Sequence, residues 1–170
     1  MDLAPKARSL TNLPEGVSAK LDQWVSHDTS PSTFPNGAHV GEVEVDPDTG
    51  RQFRVQAHGG HFGGSLDGVA INLLEAPKTW HVLEFKTHSV KSFNDLLAKK
   101  VRESKPLHFA QMQTYMHLMG LTRAMYLAVC KDTDDVYVER VEADPAFAQG
   151  LLSKAERVIF AATPPPRIST

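Results

Sequence analysis

The sequence predicts an α/β protein in which short strands come first, two helices follow, and a strand pair and a last helix close the chain. Three observations carry this expectation. Apolar residues form short strand-like runs up to Lys86, and again over Arg123–Lys131 and Val136–Val141. Between Pro106 and Met119 the apolar spacing switches to 3, 4 and 3, through Phe109, Met112, Met116 and Met119. Turn and cap residues then punctuate the borders between these runs. That order suits a sheet covered by helices on both faces.

Each element has its own reason. Residues 1–39 contain Pro5, Pro14, Pro31 and Pro35 and a Ser/Thr-rich patch at Thr29–Thr33, and read as an irregular segment. Val40–Val45 alternates apolar and acidic residues. Asp46-Pro47-Asp48-Thr49-Gly50 supplies turn chemistry, and Gln52–Ala57 returns as a second strand, so a hairpin is expected. The turn lacks the ligand set and terminal Glu of a calcium loop. Gly59-Gly60 and Gly63-Gly64 are expected to make tight turns before a strand over Leu66–Leu74 that includes Asp67. After Pro77 another apolar run ends in Val82-Leu83-Glu84-Phe85-Lys86.

Ser92-Phe93-Asn94-Asp95 resembles a capping box with Asp in place of Glu and opens a helix toward Val101. The next helix takes Pro106 in its first turn and Gly120 just past its end. A strand pair surrounds Asp132–Asp135. Asp144 caps a final helix that starts at Pro145 and runs to about Ala161. One domain is expected over residues 40–162, followed by a Pro-rich flexible tail at 163–170.

Composition narrows the function classes. A chain of 170 residues with 41% hydrophobic content builds one core. No apolar run approaches the ~20 residues of a membrane span, and no cationic-then-apolar leader is visible. The single cysteine, Cys130, lies in a strand-like run and is expected to be buried. One thiol excludes an internal disulfide, a Cys₄ zinc site and a self-contained iron–sulfur cluster, and points to a reducing compartment. The net charge is −2, but residues 86–105 hold six Lys/Arg (Lys86, Lys91, Lys99, Lys100, Arg102 and Lys105) against Asp95 and Glu103. That stretch is therefore +4 and the remainder −6. A basic segment leading away from paired carboxylates is where a phosphate backbone would be held.

The chemistry concentrates in two places. Asp67 follows a Gly-rich approach, and Glu84-Phe85-Lys86 ends the later run. Residues two apart on a strand share a face, so Glu84 and Lys86 project together, about 7 Å apart along the backbone, while Phe85 faces the other way. Two carboxylates offer hard oxygen ligands to a small divalent cation, and the ammonium can face the same phosphate. On the Pro106 helix, His108, Gln111 and Tyr115 lie within roughly a 60° sector beside the methionine stripe.

Asp67, Glu84-Phe85-Lys86 and Gln111-Met112-Gln113-Thr114-Tyr115 resemble the Asp, (D/E)xK and QxxxY signatures of the PD-(D/E)XK nuclease superfamily. The likeness is nearer to its RecB-like branch, which includes phage recombination exonucleases, and covers roughly the last 70% of the chain. It implies a restriction-endonuclease-like core with a mixed central sheet flanked by helices. It also implies a metal-dependent DNA nuclease, an exonuclease of phage recombination or replication, in the cytoplasm of a bacterial host. Asp67 and Glu84 would hold Mg²⁺ or Mn²⁺, with the Phe85 carbonyl as a further ligand. Lys86 would orient the attacking water or stabilise the phosphorane, and Gln111 and Tyr115 would secure the strand. DNA is the expected partner, held by Lys91, Lys99, Lys100, Arg102, Lys105 and His108, and a recombination protein a second one. His61 is a further polar group near these motifs.

Relatives usually begin with a helix bearing a metal-binding Glu or His, and residues 1–40 match no such helix. Many also carry a cysteine cluster, which one cysteine cannot supply. The alternative reading is therefore a non-catalytic DNA-binding or regulatory remnant of the fold. A small-molecule metal hydrolase is a third, without a second cluster of His/Asp ligands to support it.

Overall fold

The structure is a computed structural model and describes residues 42–44 (backbone), 52–71, 73, 76 and 78–165. The irregular segment expected over residues 1–39 and the turn over 46–50 lie outside the described residues, as do residues 166–170 of the tail.

In chain order the strands are β1 (Glu42–Glu44), β2 (Arg54–Ala57), β3 (Phe62–Ser65), β4 (Gly68–Ile71), β5 (His81–His88), β6 (Arg123–Cys130) and β7 (Val136–Glu142). The helices are α1 (Val90–Ser104), α2 (Pro106–Met119) and α3 (Pro145–Ile159). Among the described residues, five strands form a mixed sheet in the order β1-β4-β5-β6-β7. Of the described strands only β5 and β6 pair in parallel, and α1 and α2 together make the crossover that a parallel pair requires. The architecture is thus α/β, a mixed sheet with helices packed on it.

The sheet places one stripe of side chains against α1 and α2. Val69, Val82, Ala124, Tyr126 and Ala128 meet Phe93, Leu96, Phe109, Met112 and Met116 in one buried cluster. The methionine stripe read from the sequence is therefore core. α3 packs on α2, and the described helices all lie on the same side of the sheet, which departs from helices on both faces. On the other side Ala70, Leu73 and Leu83 form a small cluster with Met125, while Phe85, Val136 and Val138 stay exposed.

Three local readings change. First, β1 pairs with β4, and β2 pairs with β3, so among the described residues the expected hairpin between the first two strands is absent. A short turn at His58–Gly60 closes the β2–β3 hairpin instead, with Gly59 and Gly60 at φ +66° and +88°. Gly63 and Gly64 belong to β3, and their reason is space. A Cβ on Gly63 would sit 2.3 Å from the Val55 carbonyl.

Second, the strand after Leu66 begins at Gly68, so Asp67 sits in the bend before β4 and not within it. Third, the Ser92–Asp95 capping box is absent. α1 starts earlier, at Val90, whose N–H is accepted by Asp132 of the β6–β7 turn at 2.6 Å. Ser92 and Asp95 bond elsewhere. The expected cap at Asp144 does form, its side chain accepting from Phe147 N–H at 3.0 Å.

α2 begins with Pro106 and ends at Gly120 in the left-handed conformation, as read from the sequence. Its buried Gln113 donates to the Glu142 carbonyl at 2.9 Å and accepts the Asp144 N–H at 2.6 Å. One side chain thus ties α2 to the corner between β7 and α3.

α1 breaks at Lys100, which adopts φ 63° and ψ 173°. The freed Val101 N–H is taken by the Glu139 carboxylate at 2.9 Å. This conformation is nearly confined to glycine and costs a side-chain-bearing residue about 1–3 kcal/mol. Lys100→Gly is expected to raise stability by about 1 kcal/mol, read as a higher urea midpoint with an unchanged slope. An unchanged or lower midpoint would show that the break carries no strain.

Candidate active site

Three elements bring the sequence-predicted residues to one place. β5 carries Glu84 and Lys86 on the face that meets the helices, and alternation sends Phe85 to the opposite, exposed face. The bend before β4 delivers Asp67, and its carboxylate accepts the Phe85 N–H at 2.7 Å. α2 supplies Gln111 and Tyr115 from the adjacent turns of one helical face.

One ammonium collects the site's oxygens. Lys86 Nζ contacts Glu84 Oε1, lies 3.7 Å from Asp67 Oδ2 and donates to the Phe85 carbonyl at 3.2 Å. The two carboxylates and the carbonyl named as ligands in the sequence reading therefore surround a single positively charged atom. Glu84 Oε2 accepts a hydrogen bond from Gln111 Nε2 at 3.0 Å. Glu84 Oε1 is fully buried, and the Lys86 ammonium is its close partner. Burial raises the Glu84 pKa, the Lys86 ammonium opposes that rise, and the Asp67 charge adds to it.

Tyr115 acts behind this pair. Its hydroxyl donates to the Ser65 carbonyl at 3.0 Å and lies 3.4 Å from the Gln111 amide. The tyrosine therefore buttresses both the approach to Asp67 and the amide that holds Glu84. Burial raises its pKa, so the phenol stays protonated at neutral pH. Gly64 makes this possible, because a Cβ there would stand 2.3 Å from the Tyr115 hydroxyl oxygen.

The basic residues separate into two groups. Lys99 pairs with Asp95 at 2.7 Å, and Lys105 reaches the same carboxylate at 3.6 Å. The Lys99 hydrogen bond, with one from Ser104, holds the Asp95 carboxyl down at about 2. Arg102 bridges to Asp144 at 3.3 Å and lies over the Phe109 ring, 4.9 Å from its centre. Lys91 and Lys100 are exposed and make no ion pair among the described residues. His108 is half-buried, and its Nδ1 lies 2.8 Å from the Tyr126 hydroxyl. His61 is exposed in the β2–β3 turn.

Residues that the sequence reading missed complete this region. Tyr126 on β6 is the register partner of Glu84 and is fully buried. Its hydroxyl lies 2.8 Å from His88 Nε2 as well as from His108. His88 follows Glu84 and Lys86 with period two on the same strand face, a signal the sequence did contain. Tyr126 carried no such signal, since its position depends on the β5–β6 register.

The donor set can be tested for a divalent cation. Asp67, Glu84 and the Phe85 carbonyl are hard oxygens, they converge on one cationic atom, and the Glu84 oxygen that meets it is buried. They fit a Mg²⁺ or Mn²⁺ ion in kind. Among the described residues, no group of three or more His, Cys, Asp or Glu side chains is placed to hold a metal. Nor is any described helix long and apolar enough to cross a membrane.

No family model matches the sequence, and no curated protein matches it. Similar solved structures include the crystal structure of SSO0001, at 17% identity and a TM-score of 0.43, covering 72% of this chain and 52% of that one. They also include LHK-Exo in complex with dAMP, at 19% identity and a TM-score of 0.43, covering 62% of this chain and 54% of that one. The chain spans about half the length of each.

Proposed function

We propose that this chain is a metal-dependent DNA nuclease of the PD-(D/E)XK type. The observation that carries the reading is the convergence of Asp67, Glu84 and the Phe85 carbonyl on the Lys86 ammonium. Asp67 and Glu84, with that carbonyl, would hold Mg²⁺ or Mn²⁺. When bound, the cation supplies a more acidic water and neutralises charge on the phosphate oxygens.

The chain's own groups do the rest. Gln111 fixes one Glu84 oxygen and so aims the other into the site. The Phe85 N–H does the same for Asp67. Lys86 swings from the carboxylates to the phosphate, where its charge stabilises the transition state more than the ground state. Tyr115 holds the backbone at Ser65 in place.

The test is incubation of purified protein with linear single- and double-stranded DNA in millimolar Mn²⁺, with EDTA as control. Metal-dependent loss of DNA is expected. One observation favours the second reading, a DNA-binding remnant: the described residues furnish only two carboxylates. DNA that is bound yet left intact in Mn²⁺ would decide for the remnant.

The ion pairs of α1 yield a further expectation. Asp95 holds two lysines away from a phosphate backbone, so Asp95→Asn frees both. DNA binding should tighten at low salt, and the slope of log K against log salt should steepen by about 0.7–0.9 per lysine engaged. A salt titration that leaves the slope unchanged would place Lys99 and Lys105 outside the DNA path.

A further inference from the structure

Ser92, His88 and Tyr126, which the nuclease reading leaves unused, form a chain with His108. Ser92 Oγ lies 3.2 Å from His88 Nδ1, His88 Nε2 lies 2.8 Å from the Tyr126 hydroxyl, and that hydroxyl lies 2.8 Å from His108 Nδ1. The three rings are stacked at 28–29°, with centroids 5.7 to 6.4 Å apart. Four side chains from β5, α1, β6 and α2 are thus linked oxygen to nitrogen without a gap.

Hydrogen-bond capacity restricts what such a chain can be. A phenol has one proton to donate, and each neutral imidazole has one N–H and one bare nitrogen. No acceptor other than the two imidazoles meets the Tyr126 hydroxyl among the described residues. It therefore donates to one histidine and accepts from the other. If it donates to His108 Nδ1, then His88 carries its proton on Nε2 and Ser92 donates to His88 Nδ1. His108 then keeps its proton on Nε2. If it donates to His88, every proton shifts by one place and His108 Nε2 is left bare. Both arrangements leave all four groups neutral. Burial disfavours the charged forms of His88 and His108, the latter held down at about 4, and the nearby Lys86 and Lys105 charges act in the same sense.

At its His108 end the path reaches the face of α2 that carries Gln111, whose amide donates to Glu84. His108 stands one turn before Gln111 on the same face of α2, and Tyr126 is paired in register with Glu84. We propose that Ser92, His88, Tyr126 and His108 are a proton path, and that His108 Nε2 protonates the leaving oxygen of the cleaved phosphodiester. The donor role rests on the nuclease reading, while the path does not.

The step balances. Water forms the new P–O bond and releases its proton to solvent, and the bond from phosphorus to the leaving oxygen breaks. That oxygen takes the His108 Nε2 proton as Nδ1 takes the proton of Tyr126. Tyr126 is refilled from His88, His88 from Ser92, and Ser92 from solvent. His108 never becomes an anion, which is what lets a neutral imidazole give up its proton. Ser92, His88 and Tyr126 act through His108 and are positioning residues.

Two measurements test this. In nitrogen NMR of the metal-free protein at neutral pH, His88 and His108 are expected to show matching tautomers, both Nε2–H or both Nδ1–H. Tyr126→Phe should uncouple them. Mixed tautomers in the wild type overturn the path, whatever the activity.

The second measurement compares ordinary DNA with DNA whose leaving oxygen is replaced by bridging sulfur, which departs without a proton. His108→Gln should lower kcat about 10²-fold on the oxygen substrate with KM unchanged, the usual scale of general-acid catalysis. Tyr126→Phe should lower it less. On the sulfur substrate both variants should run within about threefold of wild type. Equal losses on both substrates overturn the donor role and leave His108 merely structural. Wild-type protein that cleaves neither substrate overturns the nuclease reading and the donor role together, and the tautomer measurement then judges the path alone.

Discussion

Glu84→Gln is expected to abolish metal-dependent DNA cleavage, by at least about 10³-fold or roughly 4 kcal/mol of transition-state stabilisation, while the chain stays folded. The size of the loss follows from geometry. Glu84 presents a buried carboxylate oxygen held against the same ammonium as Asp67. A neutral amide there removes half of the negative charge available to a cation. Stability should move much less. The glutamine carbonyl still accepts from Gln111, and Lys86, one quarter exposed, can turn toward solvent. Removing a buried charge also offsets part of the lost ion pair, so a change within about 1 kcal/mol is expected. Nuclease assay and thermal melt on the same preparation check both halves. Cleavage within tenfold of wild type would take Glu84 out of the chemistry. Asp67→Asn should behave in the same way.

Gly64→Ala is expected to be the most damaging small substitution on the scaffold. The added methyl would lie 2.3 Å from the Tyr115 hydroxyl oxygen and 3.1 Å from two ring carbons. Tyr115 is buried and fixed at its hydroxyl by Ser65 and Gln111, so it cannot step aside cheaply. Overpacking of this kind costs about 1–3 kcal/mol, or several degrees in Tm for a chain of this size. Activity should fall too, because the displaced ring pushes on the backbone two residues before Asp67. Adding Tyr115→Phe removes the nearest clashing atom. The double variant should therefore be more stable than the sum of the two single losses predicts. Strict additivity would show that Gly64 and Tyr115 do not share a contact.

These two expectations draw on different kinds of legibility. Glu84, Lys86, Gln111 and Tyr115 could be grouped because strand and helix periods are local, whereas Asp67 was expected inside a strand and stands in the bend before β4. Period two put Glu84 and Lys86 on one face, and spacings of 3 and 4 aligned Gln111 with Tyr115. The ends of α2 were readable from Pro106 and Gly120 for the same reason. What depends on partners far along the chain was not. The start of α1 is held by Asp132, 42 residues beyond Val90, while Ser89 at the cap position makes no side-chain capping hydrogen bond. The pairing of β2 with β3 rather than β1 is decided by which backbone edges meet, and alternation of side chains is silent on that. The lysines of α1 could be counted but not placed, since Asp95 serves two of them through contacts four and ten residues away. Tyr126 entered the region only through strand register.

The double hydrogen bond of Gln113 reaches further than its position suggests. It locks the middle of α2 to the end of β7 and the start of α3. Three groups of the active-site region, His108, Gln111 and Tyr115, ride on that helix, with Gln113 among them as a fulcrum. The helix cannot slide along the sheet without tearing the β7–α3 corner, so its side chains move as one lever or not at all. A site built this way is tuned from a distance. Changes at the far corner are carried along α2 to the angle at which all three groups meet Glu84 and Lys86.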